Sequence, residues 1–204
     1  MRDLIRAFIA MTLTEPLAGL VSEVQQTLKA QGLRIAWVPP GNVHLTLRFL
    51  GDIEPADIDP IAAVMSECAQ RMFPLALSVN GLGVFPDLRR PRVVWLGITG
   101  DMPRLIAFQQ YLDARLVALG KGRFKPEDRP FKGHLTLGRI KARLDSGILV
   151  KALRETGRVG SPAFTVDAIL LIQSRLTSSG SIYTPLRRVE FGNPAIGLCQ
   201  KNAE

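Results

Sequence analysis

The sequence contains two histidines, and both lie in one repeated tetrapeptide: His44-Leu45-Thr46-Leu47 and, 90 residues later, His134-Leu135-Thr136-Leu137. Histidine is the side chain whose ordinary pKa lets it give and take a proton near neutral pH. Alternate side chains of a β-strand share a face, so each copy offers a histidine and a threonine on one side and two leucines on the other. Two such strands across a cleft would gather two imidazoles and two hydroxyls around one small volume. That arrangement suits in-line displacement at the phosphorus of a cyclic phosphodiester: one imidazole deprotonates the attacking water and the other protonates the leaving oxygen. Thr46 and Thr136 would donate to the non-bridging oxygens, where negative charge concentrates in the transition state. The imidazoles must hold opposite protonation states, which predicts a bell-shaped pH–rate profile. The scheme calls for no metal, and the sequence has no cluster of carboxylates or histidines patterned as a phosphoryl-hydrolysing metal site.

Taken singly, these residues signal little. A lone histidine among apolar residues is commonly packed, and threonine is an ordinary strand former. The matched pair, with no third histidine in the chain, carries the inference.

The elements that must position the pair can be read from composition and period. With 204 residues, 47% of them hydrophobic, and a mean hydropathy of +0.15, the chain can bury a sizeable core and is not disordered. Lys and Arg number 26 against 18 Asp and Glu, a net charge of +8 and a pI near 10.1, which favours a polyanionic partner, nucleic acid or nucleotides first. Cys68 and Cys199 are far apart, with no CxxC and no zinc spacing, so neither a disulfide framework nor a structural metal is indicated. No stretch approaches the roughly 18 apolar residues of a membrane span. The reading is a soluble, cytoplasmic protein with no membrane partner.

Strands are expected at 4–11, 33–38, 43–50, 75–84, 93–98, 133–140, 164–173 and 183–191, and helices at 16–31, 54–71, 102–119 and 146–156. Leu17, Val21, Val24 and Leu28 recur at the helical period, as do Leu105, Phe108, Leu112 and Leu116. Gly81-Leu82-Gly83 could be mistaken for a dinucleotide-binding loop, but it lacks the third glycine and a following helix. Each HLTL follows an amphipathic helix and a loop, which suggests two related lobes of about 90 residues, sequential or interleaved in the chain. Residues 1–193 then form a single bilobal catalytic domain with a cleft between the lobes, and 194–204 a tail. The basic stretches 89–92, 121–129 and 187–188 suit either an RNA backbone or plain solvent.

Further residues surround the two copies in a characteristic order: Val38-Pro39-Pro40, Asn42, Phe49-Leu50-Gly51, Gly81-Leu82-Gly83-Val84-Phe85-Pro86, Arg90-Pro91-Arg92, Trp95-Leu96-Gly97, Arg129-Pro130-Phe131, Arg139 and Tyr183-Thr184-Pro185-Leu186. Together with the HLTL copies they resemble the RNA 2′,3′-cyclic phosphodiesterases, also called 2′-5′ RNA ligases, of the two-histidine phosphoesterase superfamily. The resemblance runs from Leu4 to about Phe191. It implies an α+β bilobal fold, each lobe an antiparallel sheet with outer helices around a central cleft. It implies action on RNA ends or nucleotides bearing a 2′,3′-cyclic phosphate; no cofactor or metal is expected, and the chain is expected to be a monomer. The product would be a 2′-phosphate with O3′ leaving, and reversible 2′-5′ RNA joining is the related activity. A protein that binds RNA ends or nucleotides without turnover is the competing reading.

The resemblance also extends the motifs to HxTxxF and HxTxxR. It casts Phe49 as a base-stacking residue and Arg139 as a stacking or phosphate contact. It further implies His134 as base toward water and His44 as acid toward O3′. Two points strain the match. Phe49 and Arg139 lie five residues after their histidines, so strict alternation turns them to the opposite face unless a bulge or strand end intervenes. Gly133 stands where the family usually has proline, from which a looser backbone before His134 is expected.

Overall fold

The computed structural model describes residues 3–141, 144–178 and 180–192, and among them alternating burial produces nine strands of one antiparallel sheet. In chain order these are β1 (Ile5–Thr12), β2 (Ala36–Trp37), β3 (His44–Ile53), β4 (Leu75–Phe85), β5 (Val93–Gly100), β6 (His134–Arg139), β7 (Phe164–Val166), β8 (Ala168–Thr177) and β9 (Gly180–Glu190). The helices are α1 (Glu15–Ala30), α2 (Ile58–Gln70), α3 (Met102–Gly120) and α4 (Ser146–Thr156). The sheet runs β7-β4-β5-β6-β3-β1-β8-β9, with β2 pairing on β6 off this path.

The two HLTL strands, β3 and β6, are therefore central neighbours. They meet at one residue pair, Leu45 opposite Leu135. From β3 the sheet continues through β1, β8 and β9, and from β6 through β5, β4 and β7. This join divides the sheet into the two lobes of an α+β bilobal fold.

The lobes interleave. β4, from the first half of the chain, pairs with β5 in the β6 lobe, while β8 and β9, from the second half, lie in the β3 lobe. Stretch 164–173, expected as one strand, breaks at Asp167: β7 pairs with β4 and β8 with β1, in opposite lobes. The strand expected over 33–38 shortens to Ala36–Trp37 because one edge of β6 serves two neighbours. β2 takes Gly138 and Arg139, and β3 takes Leu135. Pro40–Asn42 then winds into a 3-10 turn that delivers the chain to His44.

The helices fold where apolar residues recur at three and four. Pro16 lies in the first turn of α1 and Leu17, Val21, Val24 and Leu28 are buried. The Asp145 carboxylate caps α4 by accepting from the Gly147 and Ile148 N–H groups at 2.6 and 3.4 Å. α1 packs against α4, and α2 packs against α3 and lies on β8 and β9. The main core holds all four motif leucines, Leu45, Leu47, Leu135 and Leu137. The other sheet face carries a small cluster of Phe8, Ala10, Leu170 and Ile172, with Tyr183 packed against it. Among the described residues no helix is long and apolar enough to cross a membrane. The expected tail, 194–204, and with it Cys199, lies outside the described residues, and Cys68 is free and buried.

The seam between the lobes is a close-packed apolar contact, and Leu135 in it is 0% exposed. Leu135→Ala is expected to lower the unfolding free energy by about 2–5 kcal/mol. A denaturant titration reads this as a lower midpoint at unchanged slope.

Candidate active site

Counting outward from the Leu45–Leu135 pair, antiparallel register sets His44 across from Thr136 and Thr46 across from His134. Both imidazoles are oriented by the same local device. His44 Nδ1 lies 2.7 Å from the Asn42 carbonyl oxygen, and His134 Nδ1 lies 2.7 Å from that of Lys132. A carbonyl oxygen only accepts, so each Nδ1 holds the proton and donates it. Nε2 is thereby left on each ring as the nitrogen that can exchange a proton with a ligand.

Aromatic rings fix the planes of the imidazoles. His44 stacks on Phe8, with centroids 4.6 Å apart, and meets Tyr183 edge-on at 5.3 Å. His134 meets Phe85 edge-on at 5.0 Å, and Phe85 stacks on Trp95 at 4.9 Å. Gly83 makes room for that stack, since a β-carbon there would come within 2.5 Å of the Trp95 ring. Gly81-Leu82-Gly83 thus lies within strand β4 and is no dinucleotide loop. Sequence reasoning did not single out Phe8, Phe85, Trp95 or Tyr183 as site residues. Their legible signal was an aromatic ring on a strand bordering a motif strand, one beyond it, or, for Tyr183 on β9, two beyond it.

Burial holds the pKa of both histidines below the ordinary value; the backbone hydrogen bonds oppose this, and the Arg139 cation adds to it. His134 lowers His44 further. Arg139 and both imidazoles therefore share one electrostatic neighbourhood.

The parity conflict resolves through two matched β-bulges. Along β1 the partners of Ile9 and Ala10 are Arg48 and Thr46, so Leu47 has none. Along β5 the partners of Val94 and Trp95 are Gly138 and Thr136, so Leu137 has none. Each bulge places two consecutive residues on the core side, Leu47 with Arg48 and Leu137 with Gly138, and returns the next residue to the histidine face. Phe49 is 57% exposed, with its ring 6.0 Å from Phe8, and Arg139 is exposed as well. The structure thus brings His44, Thr46, Phe49, His134, Thr136 and Arg139 to one side of the sheet.

Gly133 is not loose. Its carbonyl accepts from the Ile98 N–H at 3.3 Å, and a β-carbon on it would touch Met102 at 3.2 Å. The loop ahead of it is tied to the first motif. Arg48 is buried, pairs with Asp113 at 3.0 Å and donates to the Lys125 carbonyl. The basic stretches are partly neutralised within the chain: Arg123 pairs with Asp57, Arg187 with Asp59, and Arg188 with Asp167. Among the described residues no group of three or more His, Cys, Asp or Glu side chains is placed to hold a metal ion.

The pseudo-symmetry of the site reappears in comparison with known proteins. A family model described as LigT-like phosphoesterase matches the chain twice, over residues 12–95 and 100–183. The chain belongs to this family. Each match contains one HLTL copy, so the two copies correspond to the two repeats of the LigT-like phosphoesterase pattern. Among curated relatives, an RNA 2′,3′-cyclic phosphodiesterase of Methanothermobacter thermautotrophicus is 36% identical over 183 residues, 89% of this chain and 96% of the relative. One of Aquifex aeolicus is 36% identical over 191 residues, 92% of this chain and 98% of the relative. A crystal structure of a Thermus thermophilus protein has a TM-score of 0.79 at 26% identity, covering 93% of this chain and all 100% of that one. Escherichia coli LigT, crystallised with 3′-AMP, shares the fold at a TM-score of 0.69 and 24% identity, over 94% of this chain and 100% of its own.

In this LigT-like phosphoesterase, an NMR titration of the imidazole C–H signals is expected to place both histidines below 6.5, the ordinary value. Arg139→Gln removes a cation that disfavours imidazolium, so both titrations should move to higher pH. Unmoved midpoints would show that Arg139 does not act on the pair.

Proposed function

We propose that this chain hydrolyses the 2′,3′-cyclic phosphate of RNA ends or nucleotides to a 2′-phosphate, with His44 and His134 as its acid and base. The observation that carries the reading is the register at Leu45 and Leu135, which sets the two imidazoles diagonally across the seam, each facing the other repeat's threonine, with Nδ1 occupied and Nε2 available. The curated relatives, named RNA 2′,3′-cyclic phosphodiesterases, agree with it.

The reaction divides as follows. His134 Nε2 takes a proton from water as the water oxygen bonds to phosphorus. The P–O3′ bond breaks on the opposite side, and His44 Nε2 gives its proton to O3′. Afterwards the two imidazoles have exchanged protonation states, and solvent resets them. Thr46 and Thr136 donate to the non-bridging oxygens, and Arg139, which both imidazoles sense, contacts the phosphate. The exposed ring of Phe49 stacks on the base. A 5′-hydroxyl in place of water would leave a 2′-5′ linkage, so joining uses the same geometry.

All six residues come from one chain, which supports a monomer working as a single bilobal catalytic domain over residues 1–193. An RNA substrate and the free Cys68 fit a cytoplasmic setting.

A 2′,3′-cyclic nucleotide incubated with the protein in EDTA is expected to yield the 2′-phosphate. No product, or activity lost on chelation, overturns the mechanism, and a rise in melting temperature with nucleotide but without product would identify a binding protein instead. His44→Ala and His134→Ala should each lower kcat by about 10²–10⁴-fold. A variant that folds and retains a near-normal rate would dismiss that histidine from proton transfer. Because the free protein's imidazoles both lie below the ordinary value, kcat/KM should peak below pH 6.5. It should fall on the alkaline side as the acid loses its proton, and on the acid side as the base gains one.

A further inference from the structure

Two glutamines, Gln25 at 2% exposure and Gln109 at 5%, are the uncharged polar side chains among the buried polar residues described. Both are aimed at the bulges. Gln109 Nε2 on α3 donates to the Leu47 carbonyl at 3.3 Å. Gln25 Nε2 on α1 donates to the Leu137 carbonyl at 2.9 Å and to the Val38 carbonyl at 2.7 Å. Leu47 is skipped by the bulge along β1 and Leu137 by the bulge along β5, where the Leu137 carbonyl also accepts from the Val38 N–H at 2.9 Å. The bracing is crossed: α1 precedes the first motif and holds the second, while α3 precedes the second and holds the first.

A buried carbonyl left without a donor is unfavourable, so the Leu47 carbonyl needs a partner from elsewhere, while at Leu137 the Gln25 amide is a second donor that ties the bulge to the Val38 carbonyl. A regular ladder would satisfy its own carbonyls, but the missing extra residue would turn every later side chain to the other face. Phe49 would then enter the core and Arg139 would leave the histidines. The amide of each glutamine stabilises the bulged register against the regular one.

The geometry points to Gln109 as the positioning residue for Phe49 and Gln25 as the positioning residue for Arg139, each acting through the bulge in the other repeat's motif strand. This assignment rests on the roles given to Phe49 and Arg139 above; the bulge contacts themselves do not.

The test uses the full chain with 2′,3′-cyclic AMP as probe. Gln109→Met keeps the length of the side chain and removes the donor. It should abolish the ring–ring nuclear Overhauser contact between Phe8 and Phe49, and raise KM about tenfold at little changed kcat. In a Phe49→Ala background the same substitution should leave KM where Phe49→Ala alone put it. Gln25→Met should preserve the Phe8–Phe49 contact, lower kcat, and shift both histidine titrations upward as Arg139→Gln does. If Gln109→Met does not fold, Gln109→Asn retains an amide one methylene short of the carbonyl and serves in its place. A folded variant with contact and KM unchanged, or a KM effect that persists without Phe49, overturns the assignment. Should the wild-type chain turn over no cyclic nucleotide, the ring contact and the titrations still decide the positioning claim, and the failure belongs to the proposed reaction.

Discussion

Everything at the site hangs on one backbone pairing, Leu45 with Leu135, where the two halves of the sheet touch. It is a short contact between long partners: β3 pairs with β1 along its length and β6 pairs with β5, while the two motif strands share a single opposed pair. Because side chains alternate, fixing that pair fixes which residues lie across the seam, and the leucines on its core side anchor both strands in one apolar mass. Slipping the seam by one residue would bury the histidines and expose the leucines. The large apolar loss on that alternative is what makes the register, and with it the diagonal placing of the imidazoles, specific.

The electrostatics of the site place the substrate in an active part. Burial and Arg139 both favour neutral imidazoles in the free protein, yet the proposed reaction needs one imidazolium. A cyclic phosphate carries a negative charge that would offset Arg139 and raise the pKa of the rings beside it. In this scheme the ligand's own charge converts a resting site into an acid/base pair. The aromatic walls, Phe8 and Tyr183 on one side and Phe85 on the other, hold the ring planes without adding charge.

Most of the fold and the heart of the site were legible in the sequence, and the gaps have definite physical causes. The repeated HLTL, its period-two pattern and the helical stripes of α1 and α3 are local signals, and they led to the right elements. The break at Asp167 was not legible, because the two sides of 164–173 are equally strand-like and only their partners, β4 and β1, tell them apart. The bulges were legible only as a conflict. Phe49 and Arg139 sat on the wrong face by counting, and a residue missing from a ladder is visible only when the neighbouring strand is known. Gln25 and Gln109 did leave a trace, each four residues after a buried stripe residue, Val21 and Leu105. A polar residue inside an apolar stripe signals a buried acceptor waiting for it.

The interleaving of the lobes has a consequence for how the molecule comes into being. β1 finds its partner β8 only when Ala7 can reach Gln173, and the wall of His44 is finished by Tyr183, from the last strand described. Contacts that distant in sequence raise contact order and delay closure of the sheet. As the chain leaves the ribosome, His44 emerges early but stands against an incomplete wall until Tyr183 has followed it. The site therefore depends on strands far apart in sequence, and a nascent chain that stops short of Tyr183 lacks one wall of the first imidazole.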